Sequence, residues 1–138
     1  MLKGIPSVIS PELIKILMEM GHGDVIVLAD GNFPAASNAK NLVRADGHNI
    51  PEILKAVLKF LPLDIYVDKP IALMETTAGD KEPVIWNEYK SIFNNHGKKN
   101  SEIDYIERFE FYKRARNAYA VVATGESSLY ANIILKKG

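Results

Sequence analysis

At 138 residues the chain fits a single domain, residues 1–138, long enough to bury a core without disulfide or metal staples. Lys plus Arg and Asp plus Glu each number 17, so no global field draws in nucleic acid or an anionic membrane. The absence of cysteine excludes disulfide frameworks, thiolate catalysis and Cys-rich metal centres.

Met1 to Pro11 carries one lysine and no long apolar run, so no secretory signal is expected. No stretch approaches the roughly 20 apolar residues of a membrane helix, and the expectation is a cytoplasmic protein. Ser10-Pro11-Glu12 reads as a helix start: a hydroxyl cap, proline in the first turn and an acid facing the dipole. Leu13, Ile14, Ile16, Leu17 and Met20 recur at helical spacing up to Gly21. Asp24 to Asp30 reads as a strand, its unbroken Val25–Ala29 core fitting cover on both faces. Gly31 to Asn41 reads as a loop, and Leu42 to Ala45 as a short strand before the Asp46-Gly47 turn.

Pro51 opens a helix over Glu52 to Leu61, with Ile53, Leu54, Val57, Leu58 and Leu61 on one side. Strands are predicted at Ile65–Val67 and Ile71–Glu75, on either side of the Asp68-Lys69-Pro70 turn. Pro83 to Phe93 is helical, with Trp86, Tyr89 and Phe93 read as core. A strand at Ile103–Ile106, a helix at Arg108–Asn117 and strands at Ala118–Ala123 and Ile133–Lys136 complete the chain. Helices alternating with short apolar strands predict an α/β fold: a mixed, mostly parallel sheet flanked by helices.

Of the histidines, only His22 lies between glycines, at a helix–strand junction. It is either a solvated turn residue or an acid/base, since imidazole titrates near neutrality. Asp30 ends the buried run, either as a turn cap or as a carboxylate at the strand end where α/β folds place their sites. The two share a pocket only if folding or association brings them together. Asp24 is either a turn cap or an orienting partner for His22. Glu107-Arg108 reads as a surface pair, and Tyr130-Ala131-Asn132 offers an aromatic face, a hydroxyl and an amide, groups that either suit a polyol or fill an ordinary turn. His48 and His96 read as solvated. No His-x-x-x-His, Gly-x-Gly-x-x-Gly, Gly-Lys-Ser/Thr or Gly-x-Ser-x-Gly occurs, so no three-ligand metal site is expected and nucleotide and serine-hydrolase readings lose their usual support.

In order along the chain, several segments resemble the sugar mutarotase family that comprises L-fucose mutarotases and D-ribose pyranases. They are Ser10-Pro11-Glu12-Leu13, Met20-Gly21-His22-Gly23-Asp24, Asp30 with Phe33-Pro34-Ala35, and Arg44-Ala45-Asp46-Gly47. Arg108-Phe109 with Phe111-Tyr112, Thr124-Gly125-Glu126 and Tyr130-Ala131-Asn132-Ile133 continue the series over essentially the whole length. The resemblance implies a three-layer subunit and a homo-oligomer, a ring-shaped decamer with sugar sites near subunit contacts. It implies His22 as proton donor, Asp30, Arg108, Tyr130, Ala131 and Asn132 as sugar ligands, and no cofactor. Gly-His-Gly-Asp, where ribose pyranases tend to have Gly-His-Thr-Asp, points to the fucose branch. The expected activity is exchange of α- and β-L-fucose, with D-ribose mutarotation or non-catalytic monosaccharide binding as the alternatives. Asn32 stands where many of the fucose branch carry histidine. The chain also ends at Gly138, a few residues before the tail common in that branch; where that tail supports packing, a weaker or differently closed ring is expected.

Overall fold

The Ser10 hydroxyl accepts the Leu13 N–H at 3.1 Å and starts helix α1, Pro11–Glu19. In the computed structural model, which describes residues 1–138, five further strands and four further helices follow strand β1, Val25–Ala29. They are α2 (Ala35–Asn38), β2 (Leu42–Ala45), α3 (Ile50–Leu58), β3 (Ile71–Met74), α4 (Ile85–Asn95), β4 (Ile103–Ile106), α5 (Arg108–Asn117), β5 (Ala120–Thr124) and β6 (Ile133–Lys136).

The six strands form one sheet in the order β2-β5-β1-β6-β3-β4. β1 runs parallel to β5, β5 to β2, and β3 to β4, whereas β6 is antiparallel to both β1 and β3. The sheet is therefore mixed and mostly parallel, as the alternation of elements predicts. Every strand but β6 ends at the same edge, and β6 begins there.

β1 shows why the sheet is covered on both sides. Ile26 and Leu28 enter a core cluster of 29 residues with α1, α3 and α4. Val27 and Ala29 enter a cluster of 13 that includes Phe33, Phe111 and Ala115 under α2 and α5. Successive side chains point to opposite faces, so an unbroken apolar run fills two cores at once. Burial of each such Leu or Ile contributes about 1.5–3 kcal/mol. Trp86, Tyr89 and Phe93 are core, as their spacing predicts.

Some expectations are corrected. Ile65–Val67 is not a strand: Asp64 folds the chain into a turn by accepting the Tyr66 N–H at 2.8 Å. That turn leaves Ile65 77% and Tyr66 83% exposed. Gly31–Asn41 is not all loop, because the Pro34 carbonyl collects the side chains of Ser37 and Asn38 and closes the single turn α2. β5 begins at Ala120, later than expected, since Ala118 is still bonded back to Ala115 in closing α5. α3 starts earlier, at Ile50, because the Asn49 side chain caps the Glu52 N–H. β3 stops at Met74, one residue before the expected Glu75. No helix is long and apolar enough to cross a membrane.

Candidate functional site

Asp30 follows β1 at the edge where the parallel strands end. Its backbone N–H donates to the Asn132 side chain at 2.8 Å, and its carboxylate accepts the Asn32 N–H at 3.0 Å. Burial pushes its carboxyl above the ordinary aspartate value, against the pull of the Asn32 and Phe33 N–H groups. Asp30 therefore keeps a more basic carboxylate than a solvated aspartate.

The carboxylate borders a cavity of about 270 Å³ shared with Asn32, Phe33, Met74, Arg108, Tyr112, Leu129, Tyr130 and Asn132. A hollow at the small end of the ligand-pocket range, roughly 300 Å³, suits a monosaccharide-sized guest. It lies outside the carboxyl ends of the strands, where open α/β sheets hold ligands. The structure thus brings together Asp30, Arg108, Tyr130 and Asn132 from segments far apart in the chain.

Arg108 is the first residue of α5. Glu107 caps that helix, accepting the N–H groups of Phe109 at 2.9 Å and Glu110 at 3.2 Å, so the expected Glu107–Arg108 pair does not form. The Arg108 guanidinium instead lies over the Phe109 ring, 4.9 Å from its centroid, and makes no salt bridge. A guanidinium without a carboxylate partner beside a polar cavity is available to sugar hydroxyls.

Tyr130 occupies left-handed backbone space, φ 54°, which is costly outside glycine and must be held from outside. The Trp86 indole N–H donates to its carbonyl at 2.9 Å, and the Tyr89 hydroxyl to the next carbonyl, that of Ala131, at 2.7 Å. Ala131 is fully buried and does not line the cavity; it joins Tyr130 and Asn132, which do. Behind Asp30, the nearly buried Glu126 accepts the N–H groups of Ile50 at 3.2 Å and Ser128 at 3.0 Å. Burial raises the Glu126 carboxyl, but the N–H donors of Ser128, Ile50 and Ser127 outweigh it and set the group below its ordinary value.

His22 lies at the other edge. Gly23 takes φ 85°, a conformation that suits glycine, and its N–H bonds the Lys137 carbonyl at 2.8 Å. That bond ties the turn to the end of β6. Asp24 is a turn cap, its carboxylate accepting the Gly21 N–H at 2.7 Å rather than orienting the imidazole. The exposed His22 ring stands edge-on to Tyr66, with centroids 5.8 Å apart. From Asp24 to Asp30 the strand covers about 20 Å at roughly 3.3 Å per residue. Within one copy, the structure does not bring His22 to the Asp30 cavity.

A second depression, of about 280 Å³, opens on the other side of Asp30 toward Ser37, Arg44 and Asp46. Its charges are spent on one another, because Arg44 holds Asp46 through two bonds of 3.0 and 2.5 Å. His48 is half-exposed and paired with Glu52, and His96 is the exposed end of α4.

Among the cavity residues, sequence reasoning did not assign Phe33, Met74, Tyr112 or Leu129 a site role. Tyr112 had a usable signal: four residues after Arg108, it shares that residue's helix face. Met74 had none, since it ends an apolar run that reads as core.

Comparisons with known proteins bear on this geometry. The chain is 54% identical to the fucose mutarotase of Homo sapiens over 144 residues, covering 99% of this chain and 93% of that protein. Its structure superposes on the crystal structure of the Streptococcus pneumoniae fucose mutarotase in complex with L-fucose with a TM-score of 0.97. The identity is 57%, covering 99% of this chain and 98% of that one. The Bacillus subtilis RbsD structure complexed with D-ribose superposes with a TM-score of 0.76 at 25% identity, over 100% of this chain and 98% of that one. Residues 3–138 match the RbsD / FucU transport protein family, and the chain belongs to it.

Proposed function

We propose that this chain, as a single domain over residues 1–138, is an L-fucose mutarotase, an isomerase that exchanges the α and β anomers by opening and reclosing the sugar ring. The observation that carries the reading is the Asp30–Arg108–Tyr130–Asn132 cavity in a subunit superposing at 0.97 on a fucose mutarotase solved with L-fucose. The looser fit to the ribose-bound relative, 0.76, favours fucose over ribose.

Anomer exchange needs a proton delivered to the ring oxygen and a proton taken from the C1 hydroxyl. As the C1–O5 bond breaks, the His22 imidazolium gives its proton to O5, and the Asp30 carboxylate takes the C1 hydroxyl proton. The aldehyde forms, the C1–C2 bond rotates, and the same groups reverse their transfers on closure. A carboxylate made more basic by burial is the better proton acceptor. Arg108 and Asn132 hold hydroxyls, and Ala131 fixes the backbone between Asn132 and Tyr130. A positioned acid/base group supplies about 10²–10⁴-fold, ample for a reaction that already runs in water.

In this reading the His22 that serves a cavity comes from a second copy. What supports it is the separation of the two half-sites along β1 and the apolar residues exposed beside each. Phe109 (64% exposed) and Leu129 (73%) flank the cavity, while Ile65 and Tyr66 flank His22. Two different surfaces meeting head to tail generate a ring when the rotation closes. A decameric ring working in the cytoplasm is the assembly this reading carries.

Saturation transfer between the L-fucose anomers by NMR tests the activity: the protein accelerates exchange, His22→Ala abolishes most of the acceleration, and D-ribose exchanges more slowly. Saturable fucose binding without acceleration would instead make the chain a binding protein. Mixing inactive His22→Ala and Asp30→Ala chains tests the shared site. Random assortment in a head-to-tail ring restores about a quarter of the sites, whereas sites built within one copy recover none.

A further inference from the structure

The connection from β3 to α4 carries a turn that the mechanism does not use. The Asp80 N–H bonds the Thr77 carbonyl at 3.1 Å, and Gly79 between them adopts φ 92°. The turn is exposed, yet its polar groups face the sugar cavity's wall rather than water alone. The Tyr130 hydroxyl donates to an Asp80 carboxylate oxygen through a short hydrogen bond. The Thr77 hydroxyl donates to the same oxygen at 2.9 Å and lies 3.0 Å from the Tyr130 oxygen. The Thr77 N–H reaches that phenolic oxygen at 3.4 Å. These groups close a triangle around the end of the Tyr130 side chain.

We propose that Asp80 and Thr77 are positioning residues for sugar binding, a clamp that fixes the Tyr130 ring as one wall of the fucose cavity. The proposal rests on the fucose reading of that cavity. The clamp uses the donor and acceptor capacity of the phenol, so Tyr130 meets the sugar with its ring face and not with its hydroxyl. The hydroxyls of Tyr130 and then Thr77 also hold the Asp80 carboxyl below its ordinary value, so the clamp stays charged across the neutral range. Tyr130 needs the restraint: its backbone sits in left-handed space, and Trp86 and Tyr89 fasten only the main chain of this segment. A fixed ring removes a rotamer cost that each binding event otherwise carries.

Fucose saturation kinetics measured by NMR on Asp80→Asn, Thr77→Val, Tyr130→Phe and Asp80→Asn/Tyr130→Phe test the clamp. Asp80→Asn raises KM about five- to tenfold, the net worth of one ordinary hydrogen bond, and leaves kcat within about twofold. Thr77→Val has a smaller effect of the same kind, and the double variant is no worse than Tyr130→Phe alone. An unchanged KM in Asp80→Asn, or losses that multiply in the double variant, overturns the clamp. A second readout needs no sugar. With ¹³C-tyrosine labelling, the Tyr130 ring signals shift and broaden in Asp80→Asn and stay put in Lys81→Ala, while unmoved signals in Asp80→Asn overturn the proposal. If the wild-type protein neither binds nor exchanges fucose, the cavity reading fails by itself, and the ring signals still decide whether the clamp exists.

Discussion

The two ends of β1 are built on opposite plans. At its carboxyl end Asp30 is half-buried, bonded by Asn32 and Asn132, and part of a walled cavity. At its amino end His22 sits on an exposed glycine turn whose one aromatic neighbour, Tyr66, is itself 83% exposed. One end is a walled cavity; the other is an exposed imidazole without walls. From its own subunit the exposed imidazole gains only the edge contact with Tyr66 and no exclusion of water, and a cavity without an acid binds sugar without opening it. On the proposed reading, each end of the subunit supplies half of a site.

Breaking either end gives the largest expected effect. His22→Ala lowers the exchange rate by about 10²–10⁴-fold, the share of a general acid, while fucose titration by NMR still saturates. Asp30→Ala abolishes saturation as well, because it removes a cavity ligand. If both variants lose binding equally, the division of labour between the ends is wrong.

A smaller effect, confined to the cavity end, comes from Gly125. A Cβ there lies 2.1 Å from the Asp46 carbonyl oxygen, which belongs to backbone and cannot swing aside. Gly125→Ala costs about 1–3 kcal/mol by overpacking, read as a lower Tm in thermal unfolding. Amide signals of Gly21–Asp24 stay in place in that variant if the two ends are independent.

Acid separates the two carboxylates of the cavity end. The Asp30 carboxyl is raised in the fold, so between its ordinary value of 3.8 and the raised one the native state holds the extra proton. Stability from Asp30 therefore rises as pH falls through that window, while sugar binding that needs the carboxylate is lost. The Glu126 carboxyl is lowered, so its contribution is full above 4.5 and is lost as pH falls through the lower folded value. Rate–pH profiles and urea unfolding at a series of pH values check both. Asp30→Asn removes the gain of stability in acid, and Glu126→Gln flattens the acid loss of stability. The smallest effect is expected from Tyr66→Ala, which shifts Tm by no more than what about 0.5 kcal/mol allows and lowers the exchange rate a few-fold by freeing the His22 ring.

Much of the fold was legible because its signals are local. The Ser10-Pro11 cap, the Val25–Ala29 run and the period of α4 each depend on neighbours in sequence. The Ile65–Val67 strand failed for a local reason too: the Asp64 carboxylate offers the backbone a turn that competes with pairing. Asp30 and His22 stood out by position, at a buried strand's end and in a glycine turn. Tyr112 was marked only by its spacing of four from Arg108. Met74 did not stand out, since its place on the cavity wall is settled by the packing of β3 against α5 and by nothing nearby in the chain. Asp80 lay beyond reach for the same reason, being 50 residues from the Tyr130 hydroxyl it holds.

The bond from the Asp30 N–H to the Asn132 side chain has one more consequence. The paired ladder of β1 and β6 ends at Leu28 and Ile133, and the next rung is made by an amide side chain rather than by main chain. Both residues of that rung, Asp30 and Asn132, line the hollow. A single amide thus serves two ends at once: losing it would strip the hollow of a lining group and free the last tie at the end of β1.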